Sequence, residues 1–296
     1  MEPPLIEVRV SRRAVALETA FLTRGLPADV RLDAAGRMAR AVRAEGVEPA
    51  FVGVLGGRVV AGLEETELER LAGSDRKLST RDLAPAVARG EDGGTTVAAT
   101  VFLAHRAGIA VVATGGIGGV HQGSGGLDVS ADLEELARTP VVLVCSGAKA
   151  ITDLAATMER LETLGVAVVG WRTRELPAFW SVESGIALEI AVESPEEIVA
   201  IRRAADELGV VGAIVVAVPP PADAALGREE SERAVAAAVA ELSTLGLAGP
   251  DVTPFLLTRI AELTAGRSLR ANVALLERNA AVAAEIARAL ARDRQG

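Results

Sequence analysis

Val141-Val-Leu-Val-Cys145-Ser-Gly-Ala-Lys149 is the segment on which the fold turns. Its unbroken apolar run is what a strand buried on both faces requires. Gly147 then lets the backbone turn tightly at the end of that run. Similar short runs lie on either side of it. Ile109–Ala113, Val166–Val169, Leu188–Ala191 and Val210–Val218 read as strands, and Thr95–Ala107, Ala131–Arg138, Ile151–Leu164 and Pro195–Leu208 as helices. Strands alternating with helices favour parallel pairing through right-handed crossovers. The expected fold is therefore α/β, a three-layer α/β/α arrangement around a mostly parallel sheet.

Upstream the pattern is less regular, although Phe51–Val54 and Arg58–Ala61 flank Gly56-Gly57 as a β-hairpin would. Downstream, after Pro219–Pro221, the chain reads as helical over Arg228–Leu242, Pro254–Thr264 and Ser268–Ala291. The prolines can be a domain linker or the sharp exit from the last strand. The second reading is favoured, because the apolar faces of these helices need a partner. Residues 1–296 are thus expected to form a single domain with additional C-terminal helices.

Half of the 296 residues are hydrophobic and 24% are charged, the balance of a soluble protein with a sizeable core. Aromatics are only 2% and the net charge is -9, which argues against both a stacking platform and a basic surface for a nucleic-acid polymer. A small anionic ligand remains compatible, since a local pocket can be positive on an acidic protein. Met1–Val10 lacks the pattern of a targeting segment, and no stretch approaches the roughly 18 uninterrupted apolar residues of a membrane span. Cys145, the single cysteine, cannot form an internal disulfide, so a reduced, cytoplasmic setting is the natural reading.

Of 31 basic residues only Lys77 and Lys149 are lysines. An amine can lose its proton and attack a carbonyl, whereas a guanidinium stays protonated. Lys149 follows a strand, just before an expected helix, and ligands of parallel α/β sheets collect at strand carboxyl ends. Burial or a second cation there would lower its pKa. The ordinary alternative is a solvated lysine at a helix start. Glu18 lies in the apolar run Ala14-Val-Ala-Leu-Glu18, where burial would raise its pKa and make it a proton donor or acceptor near neutrality. Taken alone, a carboxylate on a half-exposed element explains it better.

Other candidates are weaker. Asp132, three residues before Glu135, reads as a helix N-cap. Asp128, in the loop ahead, can ligate a hard divalent cation, mostly through water. Gly115-Gly-Ile-Gly-Gly119 can cradle a phosphate or simply turn, and it matches neither the dinucleotide nor the P-loop fingerprint. His105 reads as structural, while His121 can face a ligand. Two histidines and one cysteine support neither a zinc site nor a Cys-His nucleophile.

Taken in order, Ala16–Thr19, Lys77–Asp82, Thr95–Thr100, Thr114–His121, Asp128–Asp132, Cys145–Lys149, Leu176–Phe179 and Ser268–Asn272 resemble the pseudouridine-5′-phosphate glycosidase family, also called indigoidine-synthase-A-like. The resemblance covers nearly the whole chain. It implies reversible cleavage of pseudouridine 5′-phosphate to uracil and ribose 5-phosphate, with C1′ of the ring-opened ribose held as an imine on Lys149. It implies Glu18 as the general acid/base and Lys77 as a substrate-binding lysine. Val97, Ser130, Ala131 and Asp132 fall on substrate-binding positions, Asn272 on a position at the base, and Asp128 on that of one mostly water-coordinated Mn2+ ion. A homotrimer is implied as well. The loop from His121 to Asp128 is shorter than the family's, and Gln122 stands where the family has Arg. A C-glycosynthase joining ribose 5-phosphate to an aromatic natural-product precursor would share Lys149, Lys77 and Glu18.

Overall fold

The computed structural model describes residues 5–122, 128–245 and 252–293. Strands β1 (Ile6–Val8) and β2 (Val15–Leu17) lead into a π-helical turn at Phe21–Gly25 and helix α1 (Ala28–Ala44). Then come β3 (Pro49–Leu55), β4 (Arg58–Ala61), α2 (Glu65–Ala72), β5 (Lys77–Leu78), α3 (Thr80–Ala88) and β6 (Gly93–Thr95). Next are α4 (Val97–Arg106), β7 (Val111–Ala113), β8 (Val120–His121), α5 (Ala131–Leu136), β9 (Val142–Cys145) and β10 (Thr152–Asp153). These give way to α6 (Leu154–Thr163), β11 (Ala167–Trp171), β12 (Ile190–Val192), α7 (Pro195–Leu208) and β13 (Ile214–Ala217). Helices α8 (Arg228–Leu245), α9 (Val252–Leu263) and α10 (Arg267–Asp293) follow.

The main sheet runs β1-β4-β3-β2-β7-β9-β13-β11-β12, with β6 joining β3 to β5. From β3 through β2 to β12 all neighbours are parallel; the antiparallel pairs are β3 with β4 and β3 with β6. Period two sorts the core into layers. Val15, Leu17, Val111, Ala113, Val142 and Val144 face one side, with buried residues of α1, α7 and α10. Ala14, Ala16, Val112, Leu143 and Cys145 face the other, with residues of α3, α4, α5 and α6. This is the expected three-layer α/β/α arrangement. The C-terminal helices share the first core through Ala238, Ile260 and Leu275.

The hairpin has the anticipated turn. Gly56 and Gly57 hold φ of 54° and 77°, the left-handed pair that a two-residue connection demands. Elsewhere the boundaries move for local reasons. The helix read from Thr95 starts at Val97, because Thr95 ends β6 and the Thr96 hydroxyl accepts from the Ala99 N–H. The helix read from Ile151 starts at Leu154, since Thr152 pairs with His121 and Asp153 caps the helix. Lys149 is therefore not at a helix start but in the turn before β10. The cap of α5 is Ser130, whose Oγ accepts from the Asp132 N–H at 3.3 Å, and not Asp132 as its spacing suggested. Asp132 is free to reach elsewhere.

Candidate active site

The chain moves outward from β2 to β3 on one flank and returns to β7 on the other, so the connection reverses between β2 and β7. Such a reversal opens a crevice beyond the strand carboxyl ends. Register aligns those ends: Leu17 is level with Ala113, and Ala113 with Val144. Glu18, Thr114 and the segment Ser146–Lys149 thereby emerge side by side. A cavity of about 1490 Å³ covers them, lined by Glu18, Lys77, Thr114, Lys149 and Asn272 among others.

Glu18 is buried at 6% exposure and accepts a hydrogen bond from the Thr114 hydroxyl. Burial raises its pKa above the usual carboxyl range. The Lys149 and Lys77 ammoniums and the Thr114 hydrogen bond pull it down, while the Asp132 carboxylate pushes it up. Burial wins.

Lys149 is half-buried, and its backbone is held on both sides. Its N–H donates to the Ile117 carbonyl at 2.9 Å, and its own carbonyl accepts from the Thr152 N–H at 2.9 Å. Gly147 makes the turn possible. It holds φ of 79°, and a Cβ there would lie 2.2 Å from the Pro177 carbonyl oxygen. Lys77 is the second lysine lining the cavity. Protein packed around its amine lowers its pKa below the usual ammonium range, Lys149 and Arg24 add to this, and Glu18 and Asp132 oppose it. Lys77 is exposed as a residue, yet its amine is packed about by protein.

Asp132 is buried and acts as a bracket. Oδ1 accepts from the Ala98 N–H and Oδ2 from the Gly118 N–H, both at 2.8 Å, tying the glycine loop to the start of α4. Val97 is the first residue of that helix and is buried. Val97, Ser130, Ala131 and Asp132 lie outside the cavity wall, although Asp132 acts on both Glu18 and Lys77 through its charge. Asn272 lines the main cavity and an adjoining one of about 700 Å³. Cys145 is buried, and its thiol is pushed up to about 12 by that burial, so it is no nucleophile.

Asp128 and His121 face the cavity, with Asp128 Oδ2 3.3 Å from His121 Nδ1. Among the described residues no three His, Cys, Asp or Glu side chains are grouped to hold a metal. A 70% exposed Asp128 side chain fits a hard divalent ion that keeps most of its waters, and does not fit a protein cage. Of the loop from His121 to Asp128, residues 123–127 lie outside the described residues; Gln122 Nε2 donates to the Thr152 carbonyl at 3.2 Å.

Sequence reasoning gave no role to Thr114 or to Asn279, whose carboxamide binds the Thr114 carbonyl at 2.8 Å. Asn279 lies seven residues after Asn272, which places both on one face of α10. That spacing was the available signal.

The indigoidine synthase A-like family model matches residues 7–289. Pseudouridine-5′-phosphate glycosidase of Methylobacterium nodulans is 51% identical over 93% of this chain and 83% of its own. The enzyme of the same name from Paracoccus denitrificans is 50% identical over 94% of this chain and 93% of its own. Among solved structures, the prealnumycin C-glycosynthase AlnA, in complex with ribulose 5-phosphate, matches with a TM-score of 0.90 at 34% identity over 99% of each chain. An indigoidine synthase A-like protein of Thermotoga maritima gives a TM-score of 0.89 at 40% identity over 97% of each chain. The chain belongs to the indigoidine synthase A-like family.

Proposed function

We propose that this protein is a pseudouridine-5′-phosphate glycosidase, which cleaves and reversibly forms the bond between C1′ of ribose 5-phosphate and a carbon of uracil. The observation that carries the reading is one cavity holding an amine, Lys149, beside a buried carboxyl group of raised pKa, Glu18. A carbon leaving group must receive a proton, and the amine must be unprotonated to bond to carbon. Lys149 bonds to C1′ while the C1′–O4′ bond breaks, opening the ribose ring, and the ring oxygen takes up the proton that the amine sheds. The C–C bond then breaks, its electron pair staying on the base carbon. That carbon takes a proton from Glu18, and an imine remains on Lys149. Water hydrolyses the imine, releasing ribose 5-phosphate and freeing the amine. Lys77 binds the anionic substrate.

Val97, Ser130, Ala131 and Asp132 are read as substrate-binding positions near the start of α4 and α5, and Asn272 as a contact to the base. Asp128 would hold a divalent ion such as Mn2+, which when bound supplies positive charge near the sugar phosphate. A homotrimer in the cytoplasm completes the reading; among the described residues no helix is long and apolar enough to cross a membrane. Incubation with pseudouridine 5′-phosphate and manganese should release uracil; no release from folded protein would refute the assignment. The second reading, a C-glycosynthase, is favoured by the likeness to AlnA. It predicts no uracil release but covalent capture of ribose 5-phosphate.

A further inference from the structure

The last helix reaches the site from behind. Asn279, on α10, is fully buried among apolar residues such as Leu275, Leu276 and Ala283. Burying a carboxamide is unfavourable unless its donors and acceptor find partners, so a polar side chain here calls for an explanation. Nδ2 donates to the Thr114 carbonyl at 2.8 Å and to the Gly115 carbonyl at 3.3 Å. The Ser146 hydroxyl lies 3.1 Å from Nδ2 and 3.2 Å from Oδ1. Two carbonyls accept only, which fixes the way the amide faces.

Those partners adjoin the groups that carry the chemistry. Thr114 donates its hydroxyl to Glu18. Ser146 opens the segment that ends in Lys149, donates its N–H to the Gly115 carbonyl at 2.9 Å, and accepts the Phe179 N–H at 3.0 Å. One carboxamide thus ties the loop after β7 to the loop after β9 and both to the helical layer beneath.

We propose that Asn279 is a positioning residue, fixing these two loops so that the Thr114 hydroxyl stays on Glu18 while Lys149 faces the same cavity. This rests on the roles given above to Glu18 and Lys149. Four groups act on Glu18: Lys149, Lys77 and the Thr114 hydroxyl favour its ionised form, and Asp132 opposes it. Loosening Thr114 removes one of the three favouring groups. The Glu18 limb of the pH profile should then move to higher pH.

The test is uracil release from pseudouridine 5′-phosphate across pH by wild type, Asn279→Ala, Thr114→Val and the double variant. Asn279→Ala should lose roughly tenfold or more in kcat with KM changed far less, because displacement of a catalytic group by a fraction of an ångström acts mainly on the chemical step. Its Glu18 limb should rise as in Thr114→Val, and the two shifts should not add in the double variant. An unmoved limb, or shifts that add fully, would overturn the proposal. Should Asn279→Ala fail to fold, Ser146→Ala decides: the same limb rises if the role is right and stays put if it is wrong. Wild type that releases no uracil would instead refute the functional reading. The positioning role would then be read from the rate at which borohydride traps ribose 5-phosphate on Lys149, which Asn279→Ala should slow.

Discussion

Lys149 and Glu18 divide two tasks that no single side chain performs, bonding to carbon and moving a proton. Lys149→Arg keeps the charge and removes the nucleophile, so turnover should fall by about a thousandfold or more, to background, in a uracil-release assay. Glu18 also leaves a mark on stability. Its folded-state pKa is raised above the ordinary value of 4.5, so folding is disfavoured as pH climbs from there towards the folded pKa. Glu18→Gln should match wild type in Tm below about pH 4.5 and melt higher than wild type above it. A variant that melts lower at neutral pH would show that the lysines outweigh burial. The scarcity of lysine made Lys77 and Lys149 legible in the sequence, and the apolar run around Glu18 hinted at burial. Thr114 and Asn279 were not legible in role, because their partners lie 96 to 165 residues away and a Thr after a strand is commonplace.

At the level of elements, the second half of the chain was readable because its strands are buried on both faces and announce themselves as apolar runs. The first half was readable only in part, at the β3–β4 hairpin and from α4 onward, since β5 and β6 are two and three residues long and owe their pairing to distant neighbours. Gly93-Gly94 in β6 carries no strand preference at all. The π-helical turn after Glu18, which supplies Phe21 and Arg24 to the cavity, left no signal either. Gly147 was legible as a turn, and its geometry is stricter than a turn requires. Gly147→Ala meets both a left-handed φ and the Pro177 carbonyl, and should destabilise the protein by about 2 kcal/mol or more in urea unfolding. A loss below about 0.5 kcal/mol, the range of an ordinary surface change, would contradict this account of the turn.

Across the whole molecule, the parallel centre of the sheet supplies the site and the two helical layers hold it. The reversal between β2 and β7 brings together residues 18, 77, 114 and 149, a convergence that only the sheet order creates. Because α8, α9 and α10 share the core of the central strands, we expect one cooperative transition in calorimetry, with calorimetric and van't Hoff enthalpies equal. Two separated transitions would mean that the C-terminal helices fold apart from the sheet. Covalent chemistry at one amine can be read by treating the protein with ribose 5-phosphate and borohydride and mapping the adduct by peptide mass spectrometry. We expect a single reduced adduct on Lys149, absent from Lys149→Arg. No adduct, or one placed on Lys77, would contradict it.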